Sequence, residues 1–137
     1  MIQENNVLLL PIRKPYSRLI MVGKKRFELR KRLPKHDCKY VFIYETSPTK
    51  AIIGYFEVSR IHTGSISKIW EITKGGSFVT KEYFEEYYKK SSYGVAFEIK
   101  ESKKLEKPLS LSDLGIGHPP QDFMYIKNID LCESVMR

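Results

Sequence analysis

Apolar positions in this chain fall into short blocks with two different periods. Val7 to Ile12 is a compact apolar run bounded by Pro11 and Pro15, the length of one buried strand. After Pro15, which is suited to open a helix as its first residue, Tyr16, Leu19 and Ile20 fall at i, i+3, i+4. Gly23 then stands where a helix commonly stops. Residues 25–31 change to period two, with Phe27 and Leu29 on one face and Arg26, Glu28 and Arg30 on the other. "YVFIYETSP" is β-branched and aromatic and ends at Pro48, the strongest strand signal in the chain. "AIIGYFEVSRI" predicts another strand, in which Gly54 marks a bulge or a close backbone approach.

Helical spacing returns at Ile66, Ile69, Trp70 and Thr73 and stops at "KGGS". Thr80 has the chemistry of an N-cap, with Val79 and Phe84 placed as a hydrophobic staple for "KEYFEEYYKK". "YGVAFEIK" predicts a strand and "KKLEKPLS" a further one, before the turn-rich "LSDLGIGHPPQDF". Strands outnumber helices and intermix with them, the pattern of a small mixed barrel surrounded by helices. A chain of 137 residues with no repeat or linker is expected to form a single domain. Its bounds are expected at residues 7–126, with a loose end over 1–6 and an extension over 127–137.

Composition narrows the class. With 42% hydrophobic and 12% aromatic residues, the chain is a folded protein and not a disordered tail. The formal charge of +8 favours an anionic partner such as nucleic acid or a nucleotide. Cys38 and Cys132 are too few for a disulfide framework and predict reduced thiols in a cytoplasmic protein. "MIQENNVLLLPIRK" lacks the basic start and the long apolar run of a signal peptide. Nothing approaches the about 20 apolar residues of a membrane span, so no membrane partner is expected.

The densest candidate chemistry is "GKKRFELRKRLPK", in which seven of thirteen residues are Lys or Arg and Glu28 sits in the middle. Two readings stay open at this point. Arg26, Glu28, Arg30 and Arg32 form a solvated strand face, or that face lines a barrel mouth and meets a planar heterocycle. In the second, Glu28 accepts a base N–H while Lys25 and Arg30 meet phosphate or a carbonyl oxygen. "YETSPTK" offers the hydroxyls of Thr46 and Ser47 near Lys50, as a ligand contact or as a plain turn. His36 and Cys38 form an isolated pair without a second pair at zinc spacing, so no metal is expected. His62 and His118 show no partner in the sequence, and no Gly-rich phosphate loop or Ser–His–Asp signature is present. Trp70, Tyr83, Tyr87 and Tyr88 follow helical spacing and are expected in the core; exposed, they would stack bases or meet a protein partner.

The ordered segments resemble one family. "GKKRFELR" is similar to the G-x-K-x-x-E-x-R hallmark of ASCH domains, with Gly23, Lys25, Glu28 and Arg30 in its four positions. "VLLLPIRKPYSRLI", "VFIYETSPTKAIIGYFEV", "YGVAFEIK", "PLSLSDL" and "PPQDFMYI" resemble the family's other segments, so the likeness spans roughly residues 7–126. The resemblance implies an α+β fold, a PUA-like mixed β-barrel flanked by helices with a ligand cleft at one mouth. It implies a partner that is RNA or a modified nucleoside or nucleotide, in a setting of translation or RNA modification, and no cofactor. Ligand contacts carried over are Arg13, Gly23, Lys25, Glu28, Arg30, Thr46 and Ser47. Lys25 is then expected to reach the cleft from the turn before the strand.

Some branches of that family are enzymes, and the alternative is a hydrolase on N4-acylated cytidine or a ribonuclease, with Lys25 and Glu28 catalytic. Lys25 matches the catalytic lysine of the amidohydrolase branch. Glu28 stands where that branch has a nucleophilic threonine, and the nearest acid to its third partner is Glu71. The usual opening S-I-K-P reads Pro11, Ile12, Arg13, Lys14, losing a hydroxyl while Arg13 keeps the charge.

Overall fold

Every apolar run seen in the sequence has become a strand or a helix face, and the sheet buries most of them on both sides. The computed structural model describes residues 6–137. The loose end expected over 1–6 therefore lies, except for Asn6, outside the described residues. Among the described residues the strands and α-helices follow in the order β1 (Val7–Ile12), α1 (Tyr16–Met21), β2 (Phe27–Arg30), β3 (Tyr40–Glu45), β4 (Ala51–Gly64), α2 (Ile66–Thr73), α3 (Lys81–Tyr87), β5 (Gly94–Leu109), β6 (Met124–Tyr125) and α4 (Ile129–Val135), with a short 3-10 helix at Ser112–Leu114 between β5 and β6. The strands form one mixed sheet in the order β2-β5-β4-β3-β1-β6, in which β1 and β3 run parallel. The sheet curls into a half-barrel.

Period two explains how one strand serves two cores. On β1, Leu8, Leu10 and Ile12 join Val41, Ile43, Phe56 and Phe97 inside the curl. Val7 and Leu9 point the other way and join Phe42, Ile52, Tyr55 and Leu105. A strand buried on both faces needs a continuous apolar run, which is what "VLLLPI" supplies. The second core is covered by the C-terminal segment: Ile126 and Cys132 are fully or almost fully buried there. Residues 127–137 thus pack onto the sheet through α4, capped by the Asn128 side chain accepting from Leu131 N–H at 3.2 Å. A third cluster, Leu29, Ile69, Phe84, Tyr88 and Ala96, fixes α2 and α3 against β2 and β5.

Helices of six to eight residues cannot hold themselves, so these faces and their caps stabilise them. Thr80 caps α3 as expected, accepting from Tyr83 N–H at 3.0 Å, and Val79 and Phe84 share the third cluster. The strand expected over "KKLEKPLS" is not separate: it continues β5, which runs sixteen residues. Bulges explain why two expected strands merge. The register of β4 against β5 shifts between Ile52 and Gly54 and twice around Val58, which bends the pair without ending it.

Gly54 sits at one of these shifts. A Cβ there would stand 2.5 Å from Met21 Sδ and 2.6 Å from the carbonyl oxygen of Lys103. The carbonyl belongs to a paired strand and cannot give way. Gly54→Ala is expected to lower the unfolding free energy by about 1–3 kcal/mol, read as a lower urea midpoint at unchanged slope. An unchanged midpoint would show that the two strands separate there at no cost.

Candidate nucleic-acid interface

The basic segment begins at the end of α1. Gly23 adopts φ +80, a left-handed conformation that turns the chain out of the helix. The carbonyl of Leu19 then accepts from both Lys24 N–H and Lys25 N–H, at 2.9 and 3.0 Å. This wrap holds Lys25 rigidly before β2 and turns its side chain inward, where only 3% of the residue is exposed. Lys25 thus reaches the interior from the turn, as expected. Gly23 shapes the turn and does not itself line the cavity.

Period two starts only at Phe27, so Arg26 does not share the face of Glu28 and Arg30. Its backbone N–H bonds the Gly76 carbonyl at 2.6 Å and its guanidinium donates to the Ile99 carbonyl at 2.8 Å. Glu28 and Arg30 face a cavity of about 480 Å³ that opens at the rim of the half-barrel. Arg30 is its most connected group. It donates to Glu28 Oε2 from Nη2 at 2.9 Å and from Nε at 3.2 Å. It also donates to the carbonyls of Pro11 at 2.7 Å and Asp122 at 3.1 Å. Strands β2 and β6 are the two ends of the sheet, so Arg30 stitches the open seam of the half-barrel with side-chain bonds.

The floor therefore carries two cations and two carboxylates: Lys25, Arg30, Glu28 and Asp122. Lys25 Nζ donates to the Ser77 carbonyl, stands 3.9 Å from Glu28 Oε1 and lies 5.1 Å from the Tyr16 ring centroid. Burial lowers the Lys25 pKa; Glu28 opposes this and Arg30 reinforces it. For Arg30, burial acts downward but is outweighed by Glu28, Tyr87 and Asp122, so its charge is held more firmly than usual. Burial also pushes the Tyr87 phenol up to about 12.

The rim is cationic and aromatic. The Arg13 guanidinium lies 5.5 Å from the Tyr16 centroid and 5.9 Å from that of Tyr83, and donates to Tyr83 Oη at 3.4 Å. Lys31 lies 4.7 Å from the Tyr87 centroid. Tyr83 and Tyr87 stack at 6.3 Å with an interplanar angle of 10°. Arg13, Lys31, Arg32 and Tyr83 are exposed. Tyr83 and Tyr87 thus belong to the cavity wall, against the expectation of a core role, while Tyr88 is buried and Trp70 packs on Phe84. Over 83–93, Phe84 and Tyr88 are packed, while Tyr83 and Tyr93 are exposed.

Other expected contacts lie elsewhere. Thr46 and Ser47 do not line the cavity; Thr46 N–H bonds the Ile12 carbonyl at 3.3 Å in a turn that follows β3. Glu71 pairs with Lys74 at 2.7 Å on an exposed helix face and does not reach Lys25. His62 does have a partner, Glu98, at 2.7 Å. Among the described residues no Ser, Thr, Cys or His lines the cavity, and no cluster of three His, Cys, Asp or Glu side chains could hold a metal ion. Tyr16, Tyr83, Tyr87 and Asp122 are among the cavity residues that pattern reading missed, with Val79 and Gln121. A cue existed for the tyrosines: Tyr83 and Tyr87 stand four apart on α3, hence on one side of it.

A half-barrel with helices around it and a basic cleft at its rim is a PUA-like α+β domain. A profile of the ASCH domain matches residues 10–109, and the chain belongs to the ASCH domain family. The ASCH domain-containing ribonuclease of Zymomonas mobilis is 24% identical over 117 residues, 82% of this chain and 78% of that protein. Crystal structures of the Zymomonas mobilis ASCH protein superpose with a TM-score of 0.85 at 21% identity, covering 96% of this chain and 95% of that one. The N-terminal domain of Staphylothermus marinus McrB shares the fold at a TM-score of 0.56 and 14% identity, over 95% and 92% of the two chains. Large ribosomal subunit protein uL22 of Ureaplasma parvum is 32% identical over 87 residues, 64% of this chain; the match spans 28% of that protein's length. No helix among the described residues is long and apolar enough to cross a membrane.

Proposed function

We propose that this protein binds RNA in the rim cleft, with a nucleotide entering the cavity and its phosphates held by Arg13, Lys31 and Arg32. The observation that carries this reading is the pairing of a floor of buried Lys25 and Glu28 and half-buried Arg30 with an exposed cationic and aromatic rim. Phosphate alone has no use for the Glu28 carboxylate, while a nucleoside supplies the N–H or O–H it needs. Tyr83 stands exposed at the rim, where a base displacing Arg13 could stack on it. The cavity volume of about 480 Å³ lies in the range of small-molecule sites. The kinship with a protein named as a ribonuclease supports RNA as the polymer. Two buried thiols, Cys38 and Cys132, each pushed up to about 12 by burial, fit a reducing compartment such as the cytoplasm.

A second reading is cleavage of the bound RNA. It is favoured by a buried lysine with a lowered pKa beside a carboxylate, 3.9 Å away on the cavity floor. The amidohydrolase reading has less support, because no serine, threonine or cysteine nucleophile lines the cavity.

Titration of a labelled single-stranded RNA by fluorescence anisotropy across a salt series tests the first reading. Affinity is expected to fall steeply with salt, and Arg13→Ala or Arg32→Ala to reduce the log–log slope by about one each. Lys25→Met is expected to weaken binding about tenfold while the fold persists. Salt-independent binding, or full affinity in Lys25→Met, would remove the cleft from the reading. Gel analysis of the same RNA after incubation separates binding from cleavage.

A further inference from the structure

Lys25 and Glu28 each keep an unused valence, and the two face each other. Glu28 Oε2 is taken by two Arg30 N–H groups. Among the described residues Oε1 accepts no hydrogen bond, and Lys25 Nζ stands 3.9 Å from it, too far for one. Lys25 gives one N–H to the Ser77 carbonyl and turns toward the face of Tyr16. Of its three donors, one is left for the Glu28 side.

A gap of 3.9 Å between an acceptor and a donor admits one atom about 2.8 Å from both, if that atom gives a proton to one side and takes one from the other. A hydroxyl, unlike a phosphate oxygen or an amine, does both from a single oxygen. A bare phosphate oxygen gives nothing to Glu28. An exocyclic amine accepts poorly from Lys25. The rim cations beside the gap would meanwhile hold the phosphates that flank a sugar.

We infer that the Lys25–Glu28 gap receives the ribose 2′-hydroxyl of a bound nucleotide and so makes this protein selective for RNA over DNA. This rests on the nucleic-acid-binding reading given above. Arg30 is the positioning residue: by occupying Oε2 it turns Oε1 toward Lys25. The 2′-hydroxyl is both donor and acceptor and is absent from DNA, so a site matched to it discriminates the two polymers without reading sequence.

The test compares one sequence in four chemistries, by anisotropy at a single salt concentration, with strand integrity checked on gels. The ribo-oligonucleotide is expected to bind at least about tenfold more tightly than the deoxy, 2′-O-methyl and 2′-fluoro strands. The last two keep an RNA-like sugar pucker but lack the donor, so they separate hydroxyl recognition from sugar shape. Glu28→Gln, with its fold verified by thermal melting, is expected to bring the four strands within about twofold of one another. Equal binding of all four by the unaltered protein overturns the hydroxyl site while leaving nucleic-acid binding in place. Preference for ribo strands that survives in Glu28→Gln overturns the assignment to this gap. Failure of every strand to bind overturns the underlying reading as well.

Discussion

Replacing Arg30 with alanine is expected to lower the unfolding free energy by about 3–5 kcal/mol, among the largest effects of any single substitution in this chain. The size follows from what is left behind. Glu28 is buried, and Arg30 supplies the hydrogen bonds to its Oε2, so the variant strands a carboxylate in a low-dielectric site. The carbonyls of Pro11 and Asp122 lose a donor at the same time, and with it the side-chain bridge between β2 and the far end of the sheet. Urea unfolding measures the loss. A double-mutant cycle with Glu28→Ala apportions it: removing the stranded carboxylate is expected to restore part of the stability, so the pair falls well short of additivity. A loss below about 1 kcal/mol, or additive losses, would mean that the seam is not held by this side chain.

Acid sensitivity is expected to trace largely to Glu45, which is fully buried at the end of β3. Arg18 donates to it from Nε at 2.7 Å and from Nη2 at 2.9 Å, and the hydroxyls of Ser17, at 2.6 Å, and Thr49 donate as well. The Arg18 bonds hold its pKa down at about 2; burial pulls the other way, and Ser17 and Thr49 add to the lowering. A pKa below its unfolded value stabilises the fold at neutral pH, and that contribution is lost as pH falls through the folded value. The expected loss is about 3 kcal/mol between about pH 5 and about pH 2. Glu45→Gln cannot titrate, so its stability curve is expected to be flatter there by that amount and already lower at neutral pH. Parallel curves for the two proteins would locate the acid sensitivity elsewhere. The cluster ties α1 to the end of β3, next to the chain that carries Arg13 into the rim.

What the sequence displays best are the groups with a fixed period or a fixed spacing. The apolar run of β1, the Thr80 cap and the constraint on Gly54 were all readable because each follows from local sterics or burial. Lys25, Glu28 and Arg30 were readable as a set only through their likeness to the ASCH motif, since alternation alone left them on a solvated strand face; the cavity holds all three. Arg26 was misplaced because alternation was extended one residue before the strand starts. Thr46 and Ser47 lie in the turn after β3 and outside the cavity lining; a hydroxyl at a strand end has the same sequence signature whether it faces a ligand or closes a turn. Tyr83 and Tyr87 escaped because a tyrosine at helical spacing reads as core until the neighbouring surface is known. Asp122 has no period to betray it. It enters the site only because the chain returns to pair β6 with β1, bringing residues more than ninety positions from Arg30 beside it.

Trp70 stands 5.1 Å from Phe84, between ring centroids, in the cluster that backs β2, and it is the chain's single tryptophan. The molecule therefore carries one tryptophan beside nine tyrosines, and excitation at the red edge of the absorption band reads that one indole, seated behind the cleft wall. Its emission colour follows the polarity around α2 and α3 alone. Loosening of that wall is visible as a red shift while the strands remain paired, so partial and complete unfolding have different optical signatures in the unlabelled protein.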